Sequence, residues 1–453
     1  MKPAFTDTIA AIATPPGRGA VGMLRISGPE VPAICRALAG ELPPPRQASL
    51  RNFRDESGHR IDQGLVLYFP APNSYTGEDV LELQGHGGPV VLSLLLQAAC
   101  DAGARPARPG EFSERAFLNG CIDLAQAEAV ADLIDASSRS AARAALHSLQ
   151  GEFSRRVQGL LDELIAVRAD LEAALDFADE DVPWITPQTL HDRIAGLVEI
   201  TEDLSREAAQ GRRLREGMTV AIAGRPNVGK STLLNQLAGA EAAIVSPQAG
   251  TTRDLLREHI VIDGLPLTVI DTAGLRDSAD PVEREGIRRA WAAVEKAELI
   301  LFLADDQEGI TKADAALLEK LPQQIETLLL LNKCDLSNRP PQRTQDQQAR
   351  ITLRLSAATS QGLDLLKAEI KRAAGFTATG AEGLFTARAR HLDALHRAQA
   401  SLRLARAHAA KNASPELIAE ELRLSQQALD EITGRFSSED LLGRIFSSFC
   451  IGK

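Results

Sequence analysis

The sequence is poor in aromatic residues, has few cysteines, and has fewer basic than acidic residues. Tryptophan, tyrosine and phenylalanine make up 4% of its 453 residues, so helices built on alanine and leucine have to carry much of the core. Its five cysteines (Cys35, Cys100, Cys121, Cys334, Cys450) are odd in number, scattered and without metal-ligand spacing. That pattern argues against a disulfide framework or a zinc site and for free thiols in a reducing cytosol. No apolar run approaches the roughly 18 residues of a membrane span, and Asp7 and Thr8 break any signal-like core after Lys2. Lys and Arg number 50 against 61 Asp and Glu, a net charge of −11. That balance argues against indiscriminate binding to nucleic acid or membrane, and it leaves room for one specific RNA met by a local basic face. The expectation is a cytoplasmic protein without stable membrane insertion.

A chain of 453 residues is too long for one ordinary core, and the length prior is about three domains. Residues 1–118 mix short β-like runs (Val21 to Ile26, Leu65 to Phe69, Val80 to Leu83) with a helical stretch near Val90 to Ala102, punctuated by PPGRG and GHGGP. This predicts an α+β unit. From about residue 119 the pattern turns helical: Phe153, Val157, Leu160, Leu161, Leu164, Leu171 and Leu175 form one apolar stripe, and the Ala-rich run Ala125 to Leu149 reads similarly. Between residues 215 and 376 strands alternate with helices (Met218 to Ala223, Leu265 to Ile270, Leu299 to Leu303, Thr327 to Leu331), which implies a doubly wound parallel sheet. Helical patterning returns over 377–453. The predicted fold is therefore multidomain, with an α+β N-terminal domain and an all-α helical domain in two parts, 119–214 and 377–453, into which an α/β domain is inserted.

GRPNVGKS, Gly224 to Ser231, follows a strand and opens a helix, the context a phosphate-binding loop requires. Its backbone N–H groups wrap phosphates, Lys230 reaches the β/γ oxygens and Ser231 can ligate Mg²⁺. TTRD (Thr251 to Asp254), DTAG (Asp271 to Gly274), NKCD (Asn332 to Asp335) and SAA (Ser356 to Ala358) follow in order. The Asp335 carboxylate after an apolar strand can accept from guanine N1–H and N2–H₂ together, a pair adenine lacks. This is a Ras-like guanine-nucleotide site. After DTAG, where Ras-type enzymes carry a glutamine that orients water, stands Leu275. Hydrolysis then needs a group from elsewhere, and Asp277, Asp280, Glu283 and Glu285 lie just beyond; a solvated set of helix-start acids is the usual explanation for such a cluster.

Over essentially its whole length the chain resembles the MnmE (TrmE) family of tRNA modification GTPases. The residues that carry the resemblance are TPPGRGAVGMLRISG (Thr14 to Gly28), YTGEDVLELQGHGGP (Tyr75 to Pro89), PGEFSERAFLNG (Pro109 to Gly120), DLAQAEAV (Asp123 to Val130), the nucleotide motifs and the terminal CIGK (Cys450 to Lys453). The resemblance implies a homodimer, an FAD-containing MnmG partner, and addition of an aminomethyl or carboxymethylaminomethyl group to carbon 5 of a tRNA wobble uridine. It implies GTP, Mg²⁺, K⁺ and 5-formyl-tetrahydrofolate or a related folate as ligands.

Carried over by position, GTP is met by Asn227, Val228, Gly229, Lys230, Ser231 and Thr232, and by the loop Ser246, Pro247, Gln248, Ala249, Gly250, Thr251 and Thr252. Asp271, Thr272, Ala273 and Gly274 follow, then Asn332, Lys333 and Asp335, and finally Ser356, Ala357 and Ala358. The resemblance assigns Ser231 and Thr252 to Mg²⁺, and Asn227, Ser246, Gln248 and Thr251 to K⁺. Lys230 and Glu283 are catalytic, Glu283 replacing the missing glutamine. Folate falls to Arg25, Glu82 and Lys453, with Cys121 standing where the family commonly has a basic residue. Cys450, beside that site, is a candidate nucleophile.

Between Phe376 and Ala413, Arg388, Arg390, Arg397, Arg403, Arg406 and Lys411 face only Glu382 and Asp393, which reads as an RNA-facing stripe or as a solvated helix face. Two other readings share parts of this pattern. An Era-type GTPase would need an RNA-binding module whose signature is not visible, and a folate enzyme with a regulatory GTPase domain would leave the insertion without a task.

Overall fold

The computed structural model describes residues 5–176, 186–240, 257–271, 291–292, 294–346, 350–376, 384–411, 414–435, 439–450 and 452. The chain opens with β1 (Ile9–Ile12), β2 (Gly19–Ser27), α1 (Val31–Ala39), β3 (Ser49–Arg54), β4 (Arg60–Phe69), β5 (Val80–Gly87), α2 (Pro89–Asp101) and the short β6 (Arg105–Pro106). The six strands form one sheet in the order β3-β4-β5-β2-β1-β6, antiparallel throughout except for the β1/β6 pair. Strand alternation sorts the side chains. Leu24, Ile26, Leu81 and Leu83 pack with Ile34 and Leu38 of α1 and Leu95 of α2, so the intervening Arg25 and Glu82 project from the opposite face, where Ile9, Ala11, Phe112 and Tyr75 cluster.

Helices α3 (Glu111–Leu118), α4 (Leu124–Ile134), α5 (Arg139–Leu149), α6 (Glu152–Asp176) and α7 (Pro187–Glu216) follow. On α6, Phe153, Val157, Leu160, Leu161, Leu164 and Leu171 are buried, as their spacing predicts. The run Ala125 to Leu149 is not one helix. It breaks after Ile134, and Ser138 caps the new helix by accepting from Ala141 N over 3.1 Å, a cap that the alanine periodicity on either side conceals.

The α/β part comprises β7 (Met218–Gly224), α8 (Lys230–Ala240), β8 (Arg257–Ile262), β9 (Leu265–Asp271), β10 (Leu299–Asp305), α9 (Lys312–Glu319), β11 (Glu326–Asn332), α10 (Cys334–Ser337), β12 (Gln342–Gln345), β13 (Ile351–Arg354) and α11 (Leu363–Ala373). Its sheet runs β12-β13-β11-β10-β7-β9-β8. The five inner strands are parallel, while β8 and β12 pair antiparallel at the two edges. The four strands read from the sequence, β7, β9, β10 and β11, are parallel as expected, and the two antiparallel edges were not anticipated. For β8 the signal was the Asp263-Gly264 turn, both residues at positive φ of 49° and 91°, which closes a two-residue hairpin. Helices α12 (Ala389–Ala410), α13 (Pro415–Thr433) and α14 (Glu439–Ser447) complete the chain.

The residues gather in two compact units, Met1–Ala131 with Gln426–Lys453, and Asp132–Ser425. In the first, Ile445, Phe446 and Phe449 at the chain's end pack with Leu124 and Ala127. Gly452 lies so close to β1 that a Cβ would come within 2.6 Å of the Ile12 carbonyl oxygen. In the second, Ala144 of α5, Leu214 of α7 and Leu384 belong to the same hydrophobic cluster as the strands of the α/β sheet.

Candidate functional site

The phosphate-binding loop joins β7 to α8, with Asn227 and Gly229 at positive φ of 63° and 99°. Val228 is buried, and Asn227, Ser231 and Thr232 are exposed, which leaves the Ser231 hydroxyl available at the helix start. Lys230 is 8% exposed, and its Nζ donates to the carbonyls of Gly224 and Arg225, each over 2.8 Å. The ammonium is therefore held over the loop it serves.

The other motifs converge on this loop. Asn332 Nδ2 donates to Val228 O over 2.8 Å, and Asn332 Oδ1 accepts from Ala357 N over 2.8 Å. One buried amide therefore joins the phosphate loop, NKCD and SAA. Lys333 pairs with Asp305 over 2.8 Å. Burial pushes the Asp305 carboxyl up, but Lys333 and the Gln307 N–H outweigh it and hold the group below its usual range. Asp335 Oδ1 is buried without a hydrogen-bond partner, the acceptor that guanine N1–H and N2–H₂ would satisfy. Ser356 and Ala357 are buried and Ala358 is exposed. Asp271 ends β9 with its Cα opposite Ile222. Asp305 and Asn332's bridging role were not anticipated from sequence, since neither is visible without the pairing of β10 with β11.

Ser246, Pro247, Gln248, Ala249, Gly250, Thr251, Thr252, Thr272, Ala273, Gly274, Glu283 and Lys453 lie outside the described residues.

Arg25 and Glu82 face each other across β2 and β5. Arg25 Nε and Nη2 donate to Glu82 Oε1 over 3.1 and 2.9 Å. Both bonds end on one oxygen, which leaves Oε2 for a further donor. The guanidinium lies 5.4 Å from the Tyr75 ring centroid and 5.9 Å from that of Phe112. Tyr75 Oη is 2.8 Å from Ser113 Oγ. Burial raises the Tyr75 phenol above its ordinary pKa against the pull of Ser113 and Arg25. Arg115, fully buried, ties this region together through Asp7, Glu78 and Glu111. Apart from Asp7, these supporting residues lie in the YTGED and GEFSER stretches, whose roles only the pairing reveals.

Cys121 is exposed, and its Sγ sits against Gly77, 2.9 Å from where a Cβ would stand. Cys450 is also exposed, and its carbonyl accepts from Gly110 N at 3.4 Å. Arg25, Glu82, Cys121 and Cys450 are thus linked within one unit through the Tyr75–Gly77 loop and the start of α3. The five cysteines are free thiols, and among the described residues no group of three or more His, Cys, Asp or Glu is arranged for a metal ion. No described helix is long and apolar enough to cross a membrane.

The basic stretch is partly neutralised. Arg388 pairs with Asp132, Arg397 with Asp393 and Arg403 with Glu202, which reduces the local excess and favours the solvated-face reading over an RNA stripe.

A family model described as the MnmE helical domain matches residues 124–450, and one described as the GTP-binding protein TrmE N-terminus matches residues 8–121. The chain is 53% identical over 449 residues to a tRNA modification GTPase MnmE from Nitrosococcus oceani, covering 99% of this chain and 98% of that one. It is 54% identical over 447 residues to its counterpart in Methylococcus capsulatus, covering 99% of each. Among solved structures, an Aquifex aeolicus Era variant with bound GDP and aluminium fluoride is similar at 25% identity, with 41% of this chain and 67% of that chain covered and a TM-score of 0.28.

Proposed function

Because the chain belongs to the MnmE family of tRNA modification GTPases, we propose that its GTP hydrolysis serves one specific reaction. It adds an aminomethyl or carboxymethylaminomethyl group to carbon 5 of the wobble uridine of certain tRNAs. The chain works as a cytoplasmic homodimer with an FAD-containing MnmG partner, and a formylated tetrahydrofolate or related folate donates the one-carbon unit. Residues 1–118 bind folate and dimerise, 119–214 and 377–453 form the helical domain, and 215–376 the G domain.

The observation that carries this reading is the Arg25–Glu82 pair. Glu82 Oε2 can accept from the adjacent N–H donors of a pterin while Arg25, stacked near Tyr75 and Phe112, offers its outer N–H groups to the same ligand. The docking of Gly452 on β1 supports placing Lys453 beside that ligand, since Ile12 adjoins Ala11, the Cα partner of Arg25.

In the G domain, Lys230 contacts the β/γ oxygens, Asp335 selects guanine and Glu283 orients the attacking water in place of Leu275. Ser231 and Thr252 take the role of Mg²⁺ ligands in this reading, and Asn227, Ser246, Gln248 and Thr251 that of K⁺ ligands. The exposure of Asn227 and Ser231 fits both assignments. A cation held there neutralises charge developing at the β/γ bridge as an arginine finger does.

Mass spectrometry of wobble nucleosides from cells with and without this protein tests the reading. The modified uridines are expected to disappear without it, and unchanged nucleosides would refute it.

A further inference from the structure

The α/β domain leaves and rejoins the helical part through two connectors, and one carboxylate holds both. Arg215 stands in the last turn of α7, just ahead of β7. Arg388 is the residue immediately before α12. Arg215 Nε and Arg388 Nη2 each donate to Asp132 Oδ1 over 2.7 Å. The Asp132 side chain, on α4, is 5% exposed. Two cationic groups are thereby brought to one atom, and without its charge they would repel each other across the connectors.

The outgoing connector is also seated against the incoming one. Residues 384–387 are all buried. Phe385 stacks on Phe153 with ring centroids 4.6 Å apart. The Thr386 N–H donates to Ser148 Oγ over 2.8 Å. A Cβ at Gly211 would come within 2.0 Å of the Phe385 carbonyl oxygen, so α7 can lie this close only with glycine there.

A third attachment lies at the far end of α5. Ser138 and Ser140 both donate to the Gly264 carbonyl, over 3.2 and 2.5 Å. Gly264 is in the turn of the β8–β9 hairpin, which runs from the TTRD segment to DTAG. Together with the Asp132 clasp and the seat of residues 384–387, this turn gives the α/β domain three attachment points, enough to fix a rigid body.

We propose that Asp132 is a positioning residue for the coupled activity: it clasps both connectors so that GTP turnover in the α/β domain is coupled to the helical part. Neither the folate site nor the K⁺ site enters this inference.

The test compares Asp132→Asn, Asp132→Glu and wild type as full-length protein, reading GTP hydrolysis, melting temperature and tRNA modification in cells. Asp132→Asn is expected to hydrolyse GTP within about twofold of wild type yet modify tRNA about tenfold less, a loss in the range of coupling between sites. Asp132→Glu, which keeps the charge, is expected to recover most of the modification. Modification by Asp132→Asn at the wild-type rate overturns the clasp. If Asp132→Asn melts early and loses both activities, Arg215→Gln decides, because that arginine is the more exposed partner, at 31% against 16% for Arg388. Modification that falls while hydrolysis holds supports the proposal, and modification that simply tracks hydrolysis overturns it.

Discussion

Asn332 donates to the carbonyl oxygen of Val228 over 2.8 Å, which ties the residue that opens NKCD to the centre of the phosphate-binding loop. Its other amide atom accepts from Ala357, so base-side and phosphate-side recognition share one buried side chain, 2% exposed. Losing it leaves a buried carbonyl and a buried N–H unpaired, each costing about 1–3 kcal/mol. Asn332→Ala is expected to weaken GTP at least tenfold, measured by calorimetry, with nucleotide-free stability also reduced.

Guanine selection rests on Asp335, whose Oδ1 is buried without a partner. Asp335→Asn converts the acceptor into a mixed donor and acceptor. GTP is expected to weaken and xanthosine triphosphate to bind better than GTP. If ATP binds the unmodified protein as well as GTP does, the base site has been misassigned.

Leu275 cannot orient water, so turnover is expected to depend on Glu283 and K⁺. Glu283→Ala should lower kcat by about a hundredfold, the lower end for a lost acid–base group, while GTP affinity stays near wild type. Replacing K⁺ by Na⁺ should slow hydrolysis strongly; equal rates in the two salts remove the cation from the mechanism.

The folate reading predicts that Glu82→Ala abolishes binding of formyl-tetrahydrofolate and tRNA modification but spares GTP hydrolysis. Deleting Cys450 to Lys453 should act in the same direction, and Cys450→Ser separates a thiol role from docking of the terminus. Normal folate binding by the truncated protein would detach CIGK from the site.

Acid should loosen the N-terminal unit through Glu111. Burial pushes this carboxyl up, but its contacts with Arg105 and the Arg108 N–H prevail and bring it from an ordinary 4.5 down to about 2. A depressed carboxylate contributes stability above its unfolded pKa, and that contribution is lost as pH falls from about 4.5 towards 2. Stability in Glu111→Gln is expected to be lower at neutral pH and flatter across that window, as chemical denaturation followed against pH would reveal.

The G motifs were legible in the sequence because each is a short contiguous run that carries its own binding groups: the residue types of GRPNVGKS permit its loop, and NKCD follows its strand directly. Arg25, Glu82 and Cys450 were reached through family resemblance, since the bare pattern of an alternating strand reads Arg25 as a surface charge. The break between α4 and α5 and the antiparallel edges β8 and β12 were missed. A single capping serine is a weak local signal beside the strong apolar periodicity around it, the Asp263-Gly264 turn that announces β8 was passed over, and β12 is polar and exposed throughout, with no apolar pattern to read.

What the sequence alone determined is the order of the domains, the P-loop and the choice of guanine, all encoded by neighbours in the chain. Only the tertiary structure decided that Arg25 meets Glu82 across 57 positions, that Gly452 docks on β1, and that Asp132 joins Arg215 to Arg388. Those pairings depend on strand register and helix packing, which arise when distant segments bury their apolar faces together, and no local pattern specifies which polar groups that burial will bring into contact.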